Sequence, residues 1–214
     1  MSELRWNPML GQWVITATHR QDRTFKPPAE FCPICPTRSN DFATEIPVPD
    51  FDIAVFQNKF PSLRPEPEAP EVAGSELYPV REAQGECEVV VYTPEHKGSL
   101  ATVDEAKMRH LVDVWVDRFE DLGAREYVKY VFIFENRGEA VGVTLHHPHG
   151  QIYAYPYIPP IPAKELEQAC AYQERTGCCL FCDIVAEEQK DGRRILLEDE
   201  EAIAFVPFFA RFPY

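Results

Sequence analysis

The sequence predicts an α+β fold built on an antiparallel β-sheet with flanking helices. Short segments rich in β-branched and aromatic residues are typical of strands. Five such segments lie at residues 12–18, 51–56, 88–92, 130–134 and 151–155. Strands outnumber helices, and no glycine-rich phosphate loop follows a strand, so the sequence disfavours a doubly wound parallel fold.

Helices are predicted in two places. Thr102 and Glu105 form a capping-box pair ahead of apolar residues at helical spacing over 108–122, which indicates the longest helix, with one face on the sheet. A second helix is expected over about 163–173. Residues 61–79 contain too many prolines for a helix or a central strand, so we expect an extended surface loop there.

The composition excludes several classes of protein. The 214 residues are 45% hydrophobic and 26% charged, as in globular proteins. A formal net charge of −14 and the lack of a Lys/Arg-rich stripe argue against a nucleic-acid partner. There is no signal-peptide pattern and no apolar run near the roughly 20 residues that span a bilayer. We therefore expect a cytoplasmic protein with no membrane partner.

The cysteines indicate a metal site. Seven is an odd number, and without a secretory signal cysteines are more often thiols and metal ligands than disulfides. Zinc takes four tetrahedral sulfur or nitrogen ligands, and a C-x-x-C turn supplies two of them. Cys32 and Cys35 form such a turn, and His96 and His147 can complete the site. The alternative interpretation is a pair of buried thiols.

A second cluster of polar residues lies at 147–151, which reads His-Pro-His-Gly-Gln. On an extended segment, residues two apart face the same side, so His147, His149 and Gln151 are expected to point into one site. Gly150 is expected to leave room for a phosphate beside the backbone. A neutral imidazole is a competent nucleophile toward phosphorus. The alternatives are that both histidines bind zinc, or that they form a buried hydrogen-bonded pair.

The chain contains what resembles the start of a second copy of itself. Each copy has a C-x-x-C motif followed by an apolar segment: Cys32 and Cys35 precede 53–56, and Cys179 and Cys182 precede 203–206. A spacing of about 150 residues is typical of duplicated domains. We therefore predict a domain at 1–177 and a truncated second unit at 178–214. A chance match of apolar strands is the alternative.

The run 147–151, preceded by Phe-Glu-Asn-Arg-Gly at 134–138, resembles the active-site run of the galactose-1-phosphate uridylyltransferases, a branch of the histidine-triad superfamily. Other matching segments follow in the family's order: 5–8, 11–13, 19–20, 56–61 and 92–96. The resemblance implies a histidine-triad-like antiparallel sheet.

The resemblance also implies an activity. His149 matches the nucleophile that takes UMP from UDP-glucose and passes it to galactose 1-phosphate in a ping-pong reaction. Gln151 matches the catalytic residue that hydrogen-bonds the nucleotidyl phosphate. The positions that match substrate contacts are Arg20, Arg23, Asn58, Asn136, Gly142, Val143, Thr144 and Gln151. The positions that match the zinc ligands are Cys32, Cys35, His96 and His147.

Some features depart from the family or leave alternatives open. Thr144 stands where a serine is expected, and Glu165 stands where some members bind a second metal; Cys179 and Cys182 are either ligands of a second zinc or buried thiols. The resemblance implies a homodimer. The alternative functions are transfer of AMP, as in an ADP-sugar or dinucleotide phosphorylase, and a non-catalytic zinc-stabilised nucleotide-binding module.

Overall fold

The computed structural model describes residues 2–17, 27, 29–38, 42–141 and 143–211. The chain divides into two compact units, Met1–Ile158 and Pro159–Tyr214. This division lies ahead of the boundary at 177 that the sequence predicts. The interpretation of the C-terminal part as a truncated second copy stays a prediction.

Among its described residues, the first unit contains two antiparallel sheets and one α-helix. The smaller sheet has the order β2-β1-β4 and the larger sheet the order β3-β5-β7-β6. The strands are β1 (Ser2–Asn7), β2 (Gln12–Ala17), β3 (Ala54–Gln57), β4 (Val80–Glu82), β5 (Glu86–Val91), β6 (Tyr130–Phe134) and β7 (His149–Tyr155). The helix α1 spans Glu105–Gly123. The predicted α+β fold with an antiparallel sheet is confirmed.

The two faces of the larger sheet carry different layers. On one face, Val90 of β5 and Ile152 of β7 pack with Leu111 and Leu122 of α1. On the opposite face, Val89 and Val91 pack against the segment that contains Cys32 and Ile34. The period of two along β5 explains the division, since successive side chains leave opposite faces. His149 and Gln151 lie on this second face, because they pair with Val91 and Val89.

The five predicted strands are all present, with shifted ends. The segment predicted at 51–56 forms a strand only from Ala54 to Gln57. Two strands of the first unit, β1 and β4, were not predicted. β1 is the centre of its sheet, yet it carries a buried charge: Glu3 is 5% exposed and accepts a hydrogen bond from Arg5 Nε at 2.7 Å. A buried carboxylate at this position hides the alternation that would have identified the strand.

The start of α1 differs from the prediction. The helix is capped by Asp104, whose carboxylate accepts a hydrogen bond from the Lys107 amide at 2.8 Å. The predicted cap residue Thr102 instead pairs with Ser99 around a short 3₁₀ turn, Leu100–Thr102. Three apolar residues of the predicted stripe are exposed in this structure, Val112, Val116 and Phe119. The predicted apolar positions cover more of the helix surface than one face, so only part of the stripe reaches the sheet. They are Met108, Leu111, Val112, Trp115, Val116, Phe119 and Leu122.

The predicted loop at 61–79 contains no helix and no strand, as expected. Its path is set by backbone hydrogen bonds at both ends. The Gly85 amide donates to the Arg64 carbonyl at 2.9 Å, and the Trp6 amide donates to the Pro79 carbonyl at 3.0 Å. Gly85 has a φ of +148°, and a Cβ there would lie 2.4 Å from the Ala154 carbonyl oxygen, so only glycine fits.

The second unit contains two helices and a hairpin. These are α2 (Pro160–Thr176), α3 (Leu180–Asp191), β8 (Ile195–Glu198) and β9 (Ile203–Phe205). α2 begins three residues before the predicted position because Pro160 occupies its first turn, where the missing N–H costs nothing. Within the described ranges, no helix combines the length and apolar character that crossing a bilayer requires.

Candidate active site

Four side chains from distant parts of the first unit converge on a possible metal site. They are Cys32, Cys35, His96 and His147, whose ligand atoms all lie within 4.8 Å of one another. Cys35 Sγ is 3.4 Å from His96 Nδ1 and 3.3 Å from His147 Nδ1. A turn in which the Cys35 amide donates to the Cys32 carbonyl brings the two thiols together. The predicted four-residue cluster is therefore assembled and could hold a metal ion.

The surroundings of His147 orient it toward the thiols. Its Nε2 lies 2.8 Å from the Thr93 carbonyl oxygen; because a carbonyl only accepts, this nitrogen carries the proton and Nδ1 keeps its lone pair. Burial lowers the pKa of His147 to about 4, so the ring is neutral near pH 7. This is the arrangement by which histidine ligands are held in metal sites.

Burial also changes the pKa of the Cys35 thiol. Desolvation, with a further contribution from Cys32, raises the pKa of Cys35 to about 12. A thiol in such a place keeps its proton unless a cation is present. Metal coordination reverses this preference and removes the proton, so the cluster favours a metal ion that binds thiolate and imidazole together.

His149 is the first residue of β7 and is held by the backbone beside it. Its Nδ1 donates to the His147 carbonyl at 2.6 Å, so the neutral ring carries its lone pair on Nε2. Burial is the main cause that lowers the pKa of His149, while this hydrogen bond and the Glu135 carboxylate oppose the change. The ring is therefore neutral near pH 7 and is oriented by the carbonyl of a candidate metal ligand.

Two adjoining cavities meet at His149. The first, of about 160 Å³, has apolar walls that include Ile34, Phe56 and Val89. Its polar lining residues are Glu45, Asn58, Lys59, Thr144, His149 and Gln151. The second, of about 270 Å³, is mainly polar and is lined by residues that include Glu135, Asn136, Arg137 and the three histidines His146, His147 and His149. An imidazole nitrogen at this junction can reach a group that extends from one cavity into the other.

The structure brings most of the predicted site residues to these cavities. Asn58, Thr144, His149 and Gln151 line the first, and Asn136, Val143 and both histidines line the second. The Asn58 side-chain amide donates to Gln151 Oε1 at 3.3 Å. Arg20, Arg23 and Gly142 lie outside the described residues. The expected alternation holds for His149 and Gln151, which lie on the strand. His147 precedes the strand; it lies in the Cys32 cluster and also lines the second cavity.

The predicted role of Gly150 was wrong. A Cβ at this position would lie 2.1 Å from the Tyr92 hydroxyl oxygen and 3.1 Å from the Phe134 carbonyl oxygen. The space that glycine leaves is thus filled by the Tyr92 ring, on the α1 face of the sheet, and no phosphate enters there. Burial, and then the Glu135 carboxylate, raise the pKa of Tyr92, so this phenol stays protonated and can donate to Glu135.

Several cavity residues were missed by the sequence analysis, among them Ile34, Glu45, Lys59, Val89 and Glu135. Val89 is opposite Gln151 in the sheet, and Phe56 is opposite Val89. A correct pairing of β3, β5 and β7 would have identified this wall, because paired residues face the same side. Glu45 and Lys59 carry no such periodic signal.

The residues considered for a second metal lie in the second unit. Glu165 is in α2, Cys179 is the residue before α3, and Cys182 is in its first turn. The two thiols are exposed. In the part of the chain that the structure describes, only the Cys32 cluster brings together three or more Cys, His, Asp or Glu side chains that could hold a metal ion. A second metal site stays a prediction.

Comparison with known proteins matches the chain to one family. Residues 1–159 match the family model of the galactose-1-phosphate uridyl transferase N-terminal domain. Galactose-1-phosphate uridylyltransferase from Thermotoga maritima is 41% identical over 216 residues, covering 100% of this chain and 65% of that protein. The enzyme of that name from Streptomyces lividans is 41% identical over 213 residues, covering 100% of this chain and 54% of the relative.

A solved structure described as a uridylyltransferase has the same fold. It superposes with a TM-score of 0.81 at 29% identity, covering 99% of this chain and 63% of the other. The chain thus spans between about half and two thirds of the length of these relatives. The resemblance found in the sequence is confirmed. Since the family model matches 159 of the 214 residues, the chain belongs to the galactose-1-phosphate uridyl transferase family.

Proposed function

We propose that the protein transfers UMP from UDP-glucose to galactose 1-phosphate through a covalent uridylyl-His149. The observation that carries this proposal is the position of His149 where a cavity with apolar walls meets a more polar cavity. A nucleoside is accommodated by the apolar cavity, and a sugar phosphate by the polar one. The phosphorus between them then lies beside the imidazole.

The first displacement uses the lone pair on His149 Nε2. This nitrogen attacks the α-phosphorus of UDP-glucose, the P–N bond forms, and the bond to the β-phosphate oxygen breaks, releasing glucose 1-phosphate. The ring becomes positively charged because Nδ1 keeps its proton. The hydrogen bond from Nδ1 to the His147 carbonyl, 2.6 Å long, stabilises this charge and prevents the ring from turning.

The second displacement reverses the first. A phosphate oxygen of galactose 1-phosphate attacks the same phosphorus, the P–N bond breaks, and the electron pair returns to Nε2. No proton is consumed in either step, since each leaving group departs as an anion or as a neutral imidazole. Splitting a transfer in this way lets both sugar phosphates use one pocket in turn.

The residues around His149 are suited to hold the phosphates. Gln151 lines the first cavity beside Asn58, which fixes its amide orientation by the 3.3 Å hydrogen bond. Arg137 and Asn136 line the second cavity, where a guanidinium can bind phosphate oxygens in bidentate fashion. Arg20, Arg23 and Gly142 are retained as contacts on the basis of the family resemblance.

We propose zinc as the metal of the Cys32 cluster. Zn–S and Zn–N bonds of about 2.3 and 2.0 Å in tetrahedral geometry place sulfur and nitrogen ligands about 3.5 Å apart. The separations of 3.3 and 3.4 Å from Cys35 Sγ fit this value, and Cys32 Sγ lies farther from His147 Nδ1, at 4.0 Å. Bound zinc supplies a fixed anchor for His147, and the carbonyl of His147 in turn holds His149. Homodimer formation, which the resemblance implies, belongs to the same proposal.

The proposal is tested by the mass of the intact protein after incubation with UDP-glucose. We expect the wild type to gain one uridylyl group, and His149→Ala to gain none while keeping its metal. His147→Ala is the matched control, because it removes the neighbouring imidazole and should lose the metal. Initial rates with varied UDP-glucose and galactose 1-phosphate should give parallel double-reciprocal lines.

Three results would contradict the proposal. Intersecting double-reciprocal lines with no mass adduct would remove the covalent mechanism. A faster adduct from ADP-glucose than from UDP-glucose would keep the mechanism and identify an adenylyl transferase. If the protein binds nucleotide but forms no adduct, the result would support the alternative of a non-catalytic binding module.

A further inference from the structure

We propose that Lys59 and Glu45 read the hydrogen-bonding edge of the base in the first cavity and select uracil over cytosine. This inference rests on the proposed function, because it assigns that cavity to the nucleoside. Lys59 Nζ and Glu45 Oε1 form an ion pair of 2.7 Å. Both residues line the cavity.

The position of the pair follows from the arrangement of the cavity. His149 and Gln151 mark the end where the phosphorus lies, so the base occupies the part away from them. Although Lys59 directly follows Asn58, which contacts Gln151, its Nζ pairs with Glu45. The Glu45 amide donates to the Pro33 carbonyl at 2.8 Å, which places Glu45 beside the apolar wall formed by Pro33 and Ile34.

Asn58, the polar neighbour of Lys59, is already engaged. Asn58 uses its side-chain amide on Gln151, and its Oδ1 accepts from the Phe60 amide at 2.9 Å. Among the described residues that line this cavity, only Glu45 and Lys59 carry a fixed charge. The side chain of Lys59 is 61% exposed and that of Glu45 is 31% exposed, so neither is fixed in the interior and both can turn toward a ligand.

The chemistry of the pair matches uracil. An ammonium group only donates hydrogen bonds and a carboxylate only accepts them. Uracil presents one N–H donor, at N3, between two carbonyl acceptors. With the carboxylate opposite N3–H, the ammonium finds a carbonyl on either side. Cytosine has a bare N3 acceptor next to an amino group, so the same carboxylate meets a lone pair.

The test compares the binding of UMP and CMP, two ligands that differ only at this edge. Equilibrium affinities are measured by calorimetry for the wild type, Lys59→Met and Glu45→Gln. We expect the wild type to prefer UMP, and the UMP/CMP affinity ratio to fall about tenfold in each variant, the effect of one good base contact. In Glu45→Gln the fall should come mainly from tighter CMP binding, because a glutamine amide can donate to N3 of cytosine.

The control is Arg109→Met, which removes the cation of an exposed pair with Glu105 on α1 and should leave the ratio unchanged. A ratio of two ligands on one variant does not depend on the folded fraction. An unchanged ratio in both cavity variants, or an equal fall in Arg109→Met, overturns the inference. Because binding is measured without turnover, a missing uridylyl adduct contradicts the proposed function alone, and an unchanged ratio contradicts this inference alone.

Discussion

At the scale of single residues, two histidines that are two positions apart have separate tasks. His147 precedes β7 and is 1% exposed among the metal-site thiols, whereas His149 begins the strand and lines both cavities. The connection between them is a backbone carbonyl, which needs no particular side chain. Orientation of the proposed nucleophile therefore depends on how firmly His147 is held.

Gly150 offers a direct test of the contact that shapes the strand between the cavities and α1. Gly150→Ala should destabilise the protein by about 1–3 kcal/mol, the usual cost of overpacking a core. The reason is the Tyr92 hydroxyl, which lies 2.1 Å from the position of the new Cβ. Urea unfolding of the wild type and the variant measures the change.

The variant Tyr92→Phe tests whether the cost of Gly150→Ala comes from the Tyr92 hydroxyl or from replacing glycine at this position in general. In the double variant the hydroxyl is absent, and the nearest ring atom lies 3.1 Å from the new Cβ. Gly150→Ala should therefore cost less in the Tyr92→Phe background than in the wild type, giving a coupling energy between the two sites. Strictly additive free energies of unfolding would show that the Tyr92 hydroxyl is not the obstacle.

The residues of the candidate metal site were predictable from the sequence, but their neighbours were not. Cys32, Cys35, His96 and His147 stand out because a tetrahedral site needs these few residue types. The pairing of Lys59 with Glu45 is not visible in the sequence, since charged residues 14 positions apart in loops are common and only the tertiary structure joins them. The same holds for Tyr92, whose hydroxyl crosses to a neighbouring strand.

At the scale of elements, the helix α1 shows that several neighbouring N-cap residues make the start of a helix hard to predict. Ser99, Thr102 and Asp104 are all good N-cap residues, and they lie within six positions of one another. The structure uses two of them for a 3₁₀ turn and the third for the helix. The existence of the helix followed from its apolar spacing, whereas its first residue depended on which of these caps the surrounding chain allows.

The cap assignment leads to a prediction. Asp104→Ala should lower the free energy of unfolding by about 1 kcal/mol, because the amide of Lys107 loses its acceptor. For a chain of this size, thermal melting should shift by roughly 2–4 °C. Asp104→Asn is the matched control, since its side-chain oxygen can accept the same hydrogen bond. Equal losses in the two variants would mean that the charge, rather than the cap, stabilises the helix.

The strands also show why some elements could not be predicted from the sequence. Edge and central strands with clear β-branched runs were predicted, and β1 was not, because its buried Glu3 and the adjoining Arg5 resemble a surface loop in the sequence. The Glu3 carboxylate also accepts from the Glu71 amide at 3.1 Å, which ties the proline-rich loop to the sheet. A polar group that is buried because it has partners cannot be recognised until those partners are known.

At the scale of the whole first unit, the metal cluster joins parts of the chain that are far apart in the sequence. Cys32 and His147 are separated by 115 positions. The Cys32 segment packs on β5, and His147 leads into β7. A bound ion therefore closes a long loop and, at the same time, holds the segment that orients His149. Stability and activity should respond together when the metal is removed.

Metal removal gives the last prediction. An ion present at about 1,000 times its Kd adds about 4 kcal/mol to the folded state, which corresponds to roughly 8–16 °C in Tm at this chain length. Treatment with a chelator at pH 7 should lower Tm by an amount of this order, and zinc should restore it. Cys32→Ser should melt low with or without the chelator.

The matched control is Cys170→Ser, which makes the same chemical change at an exposed cysteine. It should melt like the wild type and respond to the chelator to the same extent, because the cluster is intact. The chelator effect should also shrink as the pH is lowered, since protons compete with the metal for thiolate and imidazole ligands. A wild-type Tm that does not change on complete metal removal would rule out a stabilising ion, and the support of His149 would then rest on the protein's own hydrogen bonds.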